Sequence, residues 1–200
     1  MMHTETEVTG VILVGGKSRR MGVDKAFLEI EGTPLFERVL RVFTDIFART
    51  ILIGSQRERF ARYGLSCYPD MYPGSALGGL YTGLMHAETP YIFVSACDVP
   101  FPSGAVARHL VSLRDGFDAV VAKGADGFEP LFAVYASSCR EPMRRLLEKD
   151  NFCIFDFYPE MNVRYVATEE LARLDGAART FLNLNTPEEF DRVTRNGNVR

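Results

Sequence analysis

Tryptophan is absent from this 200-residue chain, histidine occurs three times and cysteine four times. Cys67, Cys97, Cys139 and Cys153 show no C-x-x-C spacing, and His3, His86 and His109 form no i,i+4 pair. Neither a disulfide framework nor a Cys/His zinc site is expected; the cysteines read as small buried hydrophobes and the histidines as surface imidazoles. No apolar run approaches a membrane span, and residues 1–7 are polar, without the apolar stretch of a signal peptide, so a cytoplasmic protein is the expectation. A basic excess is lacking too. The net charge of −3 argues against broad affinity for nucleic acid or anionic membranes. Internal repeats and low-complexity segments are likewise missing. At 46% hydrophobic the chain supports one sizeable core and is too short to favour two. The expectation is a single domain over residues 1–200, with 1–7 and 196–200 as loose polar tails.

What the chain does have is one unusual stretch, Leu13-Val14-Gly15-Gly16-Lys17-Ser18-Arg19-Arg20-Met21-Gly22-Val23-Asp24-Lys25, directly after the apolar run from Val8 to Val14. Three glycines and four cations stand where a strand ends. Glycine lets a ligand approach bare N–H groups, and the cations answer concentrated negative charge, so the local chemistry suits a polyphosphate. The spacing is not that of a Walker loop, since five residues separate Gly16 from Gly22 and Val23-Asp24 follow. It does not match the dinucleotide Gly-x-Gly-x-x-Gly either.

Further on, Leu35, Phe36, Val39, Leu40, Phe43 and Phe47 recur at helical spacing after Thr33-Pro34, read as a cap and a first-turn proline. Arg49–Gly54 reads as a buried strand, 56–63 as a polar helix, and 65–68 as a short strand closed by Pro69-Asp70. A second glycine-rich stretch, Pro73–Leu80, continues into a helix whose Leu77, Leu80, Leu84 and Met85 face the core. Tyr91–Cys97 is the clearest buried strand and delivers Asp98 at its carboxyl end, where open α/β sheets place their ligands. Asp98 could alternatively cap the next helix, for which 106–113 carries the apolar stripe. Asp118–Ala122 and Pro130–Tyr135, joined by the turn signal Gly124–Gly127, add an antiparallel element to an otherwise parallel sheet. Residues 139–149 read as a basic helix, the aromatics of 150–158 as core packing rather than a base-stacking platform, and 163–167 as a strand. Phe181–Asn185 alternates like a half-exposed strand, and Thr186-Pro187-Glu188-Glu189 is a capping box.

Taken in order, these segments resemble the molybdenum cofactor guanylyltransferases, whose opening Leu-Ala-Gly-Gly-x-Ser-x-Arg-Met-Gly-x-Asp-Lys differs here only at Val14. Tyr68-Pro69-Asp70, Gly74–Leu80, Cys97-Asp98-Val99-Pro100, Glu129–Tyr135 and Asn183–Glu189 are similar as well, so the matches span nearly the whole chain. The resemblance implies a Rossmann-like three-layer α/β sandwich with a mostly parallel, partly mixed sheet, of the nucleotide-diphospho-sugar transferase type. It implies transfer of GMP from GTP to the terminal phosphate of molybdenum-molybdopterin, with Mg²⁺ as cofactor. Leu13, Val14, Gly15, Gly16, Lys25, Asp70, Gly78, Gly79 and Asp98 then bind GTP. Arg20, Lys25 and Asp98 act in catalysis, Asp98 is the metal ligand, and Asn183 and Asn185 lie at the pterin side. Cofactor-insertion proteins or recipient molybdoenzymes are the implied protein partners, and a monomer is expected. Gly54 replaces an asparagine that family members can carry. The rival readings are a sister enzyme using CTP, which more often shows Leu-Ala-Ala-Gly, another nucleotidyltransferase that activates a different phosphorylated acceptor, and a non-catalytic nucleotide- or cofactor-binding adaptor.

Overall fold

Every residue from Val8 to Leu13 is buried, and these six form β1, the strand from which the sheet is laid out in both directions. The computed structural model describes residues 5–15, 25–124, 127–174 and 176–182. Along the chain follow β2 (Glu29–Ile30), β3 (Thr33–Pro34), α1 (Leu35–Ile46), β4 (Thr50–Ile53), α2 (Arg57–Phe60), β5 (Ser66–Tyr68), α3 (Ala76–His86) and β6 (Tyr91–Ala96). Then come α4 (Gly104–Ser112), β7 (Ala119–Gly124), β8 (Gly127–Ala136), α5 (Arg140–Leu147), β9 (Val163–Ala167), α6 (Thr168–Leu171) and α7 (Ala177–Thr180).

The main sheet has the order β5-β4-β1-β6-β8-β7-β9. β8 runs antiparallel to both its neighbours, and every other adjacent pair in the sheet is parallel. Strands buried on both faces read as continuous apolar runs, which is why 8–13, 50–53 and 91–96 were legible without alternation. Two apolar clusters line the two faces. One gathers Val8, Ile12, Phe36, Phe43, Phe93, Val106, Leu110, Phe132 and Val134 under α1 and α4. The other gathers Val11, Ile51, Leu77, Leu80, Val94, Tyr135, Met143 and Phe157 under α3 and α5. The result is a three-layer α/β sandwich with a mostly parallel, mixed sheet.

Several local expectations are corrected. Thr33-Pro34 is not a cap followed by a first-turn proline: it is β3, paired with β2, and Pro34 itself stands at the start of α1 without a side-chain cap. Glu31 (φ 53°) and Gly32 (φ 71°) close that hairpin, since a two-residue turn of this hand needs positive φ at both positions. Met85 is 44% exposed, because α3 turns it away from the sheet while Tyr81 and Leu84 are buried. In 150–158 only part of the aromatic set packs inward: Phe157 and Tyr158 are buried, whereas Phe152 and Phe155 are exposed. Cys153 is exposed rather than core. The polar segment 57–63 splits into α2 and one 3-10 turn. Residues 5–7 are no loose tail. Glu5 bridges to Phe47, and Arg114 pairs with Glu5 and Glu7 at 3.5 and 3.0 Å. Phe181 and Leu182 follow α7 as a turn rather than a strand, and the remainder of that segment, with 196–200, lies outside the described residues.

Candidate active site

β1, β4, β5 and β6 are parallel neighbours, so their carboxyl ends reach one edge of the sheet. There the chain is tightly laced. Leu13 O accepts from Cys97 N at 3.1 Å, Val14 N donates to Ile53 O at 2.9 Å, and Gly54 N donates to Tyr68 O at 2.9 Å. Gly54 sits directly beneath the start of the glycine-rich loop. A Cβ there would meet the Val14 carbonyl carbon at 2.9 Å and Gly15 N at 3.0 Å. The departure at Gly54 therefore has a local structural reason: a side chain at 54 would push Val14-Gly15 away from the edge.

Lys25, opening a 3-10 turn, and Asp98, just past β6, meet over this edge. Lys25 Nζ lies 3.8 Å from Asp98 Oδ2, and their side chains are 17% and 37% exposed. That separation is too long for a hydrogen bond, so the pair faces a shared space with opposite charges rather than closing on itself. Asp98 is not the cap of α4. Ser103 has that role, accepting from Val106 N at 3.2 Å.

Asp70 stands on the opposite flank, after β5. Its Oδ1 accepts from Tyr72 N at 2.9 Å and lies 3.2 Å from the hydroxyl of Thr82. The Thr82 hydroxyl, fully buried in α3, accepts from Met71 N at 3.0 Å and lies 2.8 Å from Gly78 O. Oδ2 points along Gly79, where an added Cβ would come within 3.8 Å of it and 3.2 Å of Leu13 Cδ2. Burial raises the Asp70 carboxyl above the ordinary aspartate range, against the opposing hydrogen bonds from Tyr72 and Thr82. Gly78 admits no side chain at all, because a Cβ would stand 2.1 Å from Tyr72 O. Ser75 caps α3 by accepting from Gly78 N at 2.9 Å. Thr82 had no sequence signal beyond a polar residue in an otherwise apolar helix; its role is visible only once Asp70 is placed beside it.

Of the expected site residues, Leu13, Val14, Gly15, Lys25, Asp70, Gly78, Gly79 and Asp98 gather along this edge. Gly16, Arg20, Asn183 and Asn185 lie outside the described residues. No cluster of three or more metal-type ligands occurs among the described residues, and no described helix is long and apolar enough to cross a membrane.

Residues 10–159 match the model of the MobA-like NTP transferase domain. The chain belongs to this family. Among MobA-like relatives, a probable molybdenum cofactor guanylyltransferase of Pelotomaculum thermopropionicum is 37% identical over 185 residues, covering 92% of this chain and 90% of the relative. The molybdenum cofactor guanylyltransferase of Desulfosudis oleivorans is 32% identical over 189 residues, with 93% and 94% covered. In three dimensions this MobA-like chain is similar to the molybdopterin-guanine dinucleotide biosynthesis protein A of Archaeoglobus fulgidus, with a TM-score of 0.82 and 28% identity over 94% of this chain and 97% of that one. The 4-diphosphocytidyl-2C-methyl-D-erythritol synthase of Anaerococcus prevotii, at 12% identity and a TM-score of 0.68, shares the fold alone.

Proposed function

We propose that this MobA-like chain transfers GMP from GTP to the terminal phosphate of molybdenum-molybdopterin, forming molybdopterin guanine dinucleotide and releasing pyrophosphate. The observation that carries this reading is the Lys25–Asp98 pair, held 3.8 Å apart at the strand ends beside Leu13–Gly15. An oxygen of the acceptor phosphate attacks the α-phosphorus of GTP, the bond from that phosphorus to the bridging oxygen breaks, and the electron pair leaves on pyrophosphate. Two anions must approach each other, so positive charge at the α-phosphate lowers the barrier most. Lys25 supplies one such charge, Arg20 a second, and the Gly15 and Gly16 N–H groups orient the phosphates. Asp98 would hold Mg²⁺: it is a single, partly exposed, hard oxygen donor, which suits an ion that keeps several waters and takes its other ligands from the triphosphate. When bound, the ion supplies Lewis-acid neutralisation of the triphosphate.

At the base end, Asp70 has in this reading the role of acceptor for the N1–H and exocyclic amine of guanine; its Oδ2 on the side of Gly79, with Oδ1 engaged by Tyr72 and Thr82, supports that role. A pyrimidine such as cytosine presents an acceptor at the matching ring position, and an acceptor facing a carboxylate is repelled. Asn183 and Asn185 serve the pterin side. The test is incubation of the pure protein with Mg-GTP and molybdenum-molybdopterin, followed by mass analysis of the pterin. A product heavier by one GMP is expected. Thermal shift with GTP and CTP at equal concentration checks the base, and a larger shift with CTP would replace GTP by CTP in this reading.

A further inference from the structure

The opening of β8 carries an irregularity that the reaction described so far leaves unexplained. Gly127, Phe128 and Glu129 pair with Gly124, Lys123 and Ala122, but the register then jumps, and Val134 pairs with Val120. Two steps along β7 (122 − 120) are matched by five along β8 (134 − 129), so residues 130–133 leave the pairing with β7, while Phe132 and Ala133 stay paired with Ser95 and Val94 of β6. The fully buried Tyr135 hydroxyl donates to Pro130 O at 2.9 Å and lies 2.8 Å from the Tyr158 hydroxyl, which therefore donates to it. A two-hydroxyl chain through the core thus pins the bulge at a proline that has no N–H to lose. Bulges of this kind re-aim side chains beside active sites.

The residue that directly precedes this bulge, and is still paired in the ladder, is Glu129. Because it pairs with Ala122, it shares the sheet face of Ala122, the face on which Ala26, next to Lys25, and Cys97 and Val99, on either side of Asp98, pack. It is half-buried, on the strand that hydrogen-bonds to β6. Asp70, at the end of β5, and Glu129, at the start of β8, thus flank the Lys25–Asp98 pair. Four strand spacings separate their strands, roughly 19 Å. The two ring systems that the reaction joins are alike at one edge. Guanine and the pyrimidine ring of a pterin both present an amino group, a ring N–H and an oxo group, and a carboxylate accepts from the first two together.

Resting on the GTP and molybdopterin reading above, we infer that Glu129 reads the amino-oxo edge of the acceptor's pterin, as the counterpart of Asp70 at guanine, with the Tyr135–Tyr158 pair as its positioning support. It is a specificity residue, at a distance from the transferring phosphate. The test uses two fluorescent probes, 6-hydroxymethylpterin and its 2,4-dioxo counterpart 6-hydroxymethyllumazine, titrated against the intact protein and Glu129→Gln. The wild type should bind the amino-oxo probe about tenfold or more tightly than the dioxo one, since a site that pairs a donor discriminates against a ring lacking it. Glu129→Gln should abolish that preference while the melting shift given by Mg-GTP stays unchanged. A preference that survives in Glu129→Gln overturns the inference. A second reading uses steady-state kinetics, where the substitution should raise KM for molybdenum-molybdopterin about tenfold with kcat nearly constant; an unchanged KM overturns it as well. Loss of the Mg-GTP shift in the wild type, with the pterin preference intact, would instead remove the GTP reading and leave Glu129 where it is placed.

Discussion

Along one half of the carboxyl edge β5, β4, β1 and β6 run parallel and finish together, whereas along the other half β8 runs backwards, so that its first residues, not its last, reach the edge. The parallel half ends in glycines and single charged side chains: Gly15, Gly54, Lys25, Asp70 and Asp98. The mixed half ends in a hairpin backed by interlocking rings, with Phe128 5.0 Å from Tyr165, 5.4 Å from Phe155 and 6.1 Å from Tyr158. The first half is close-fitted backbone with little side-chain bulk, as needed where phosphates must approach. The second is held by side-chain packing and buried hydroxyls, which fixes shape. The lesson is a division of labour: changes in the parallel half should strike nucleotide binding and chemistry, and changes in the mixed half should strike stability or the acceptor.

The largest separation is expected from Asp98→Asn. Turnover should fall about a thousandfold through loss of the metal-holding carboxylate, while the melting temperature barely moves. A variant retaining wild-type turnover would break the comparison at its centre. Gly78→Ala comes next: the added Cβ, 2.1 Å from Tyr72 O, should cost roughly 3 kcal/mol in denaturant unfolding and weaken the Mg-GTP shift at the same time. Tyr135→Phe probes the other half. Leaving Pro130 O and the Tyr158 hydroxyl without their shared partner should cost about 1–3 kcal/mol, yet the GTP shift should persist. Equal damage to GTP binding would dissolve the distinction between the halves.

A pH series sharpens the role of Asp70. Its folded-state pKa is raised by burial, so the group favours the folded free protein on the acid side, and that contribution is lost as pH rises through the folded value. Binding runs the other way. The carboxylate accepts from guanine's N–H groups more strongly than the protonated acid, which carries an O–H of its own, so GTP affinity should decline as pH falls from neutral, starting above the ordinary aspartate range. Asp70→Asn should bind more weakly throughout and lose this component of the pH dependence, and the difference between the two curves is the measurement. The smallest effect is assigned to Phe152→Ser, which changes an exposed ring on the mixed half and should alter stability by about 0.5 kcal/mol or less.

Element identity and order were legible because apolar periodicity is a local property. Val8–Leu13, Tyr91–Ala96 and the stripe of α1 announce themselves by which residues are apolar. Lys25 and Asp98 were legible as candidates because each directly follows a glycine-rich or strand-end signal, and the fold brings them together as expected. The β2–β3 hairpin was missed because Glu31 adopts the left-handed conformation without being glycine or asparagine, so its turn chemistry is silent in the sequence. Met85 was misplaced because a helix rich in apolar and small residues has no sharp polar face to fix its rotation.

The amino-acid sequence by itself determined the alternation of strands and helices with one antiparallel element, the strand-end position of the glycine-rich loop and the identity of the charged residues flanking it, since these follow from local pattern and covalent order. Tertiary structure alone decided that Gly54 must lack a side chain, that Thr82 and Tyr72 engage one oxygen of Asp70, and that Tyr135 holds the bulge at Pro130, next to Glu129. Those facts depend on atoms far apart in the chain arriving within a few ångströms of one another, and no local pattern encodes a distance.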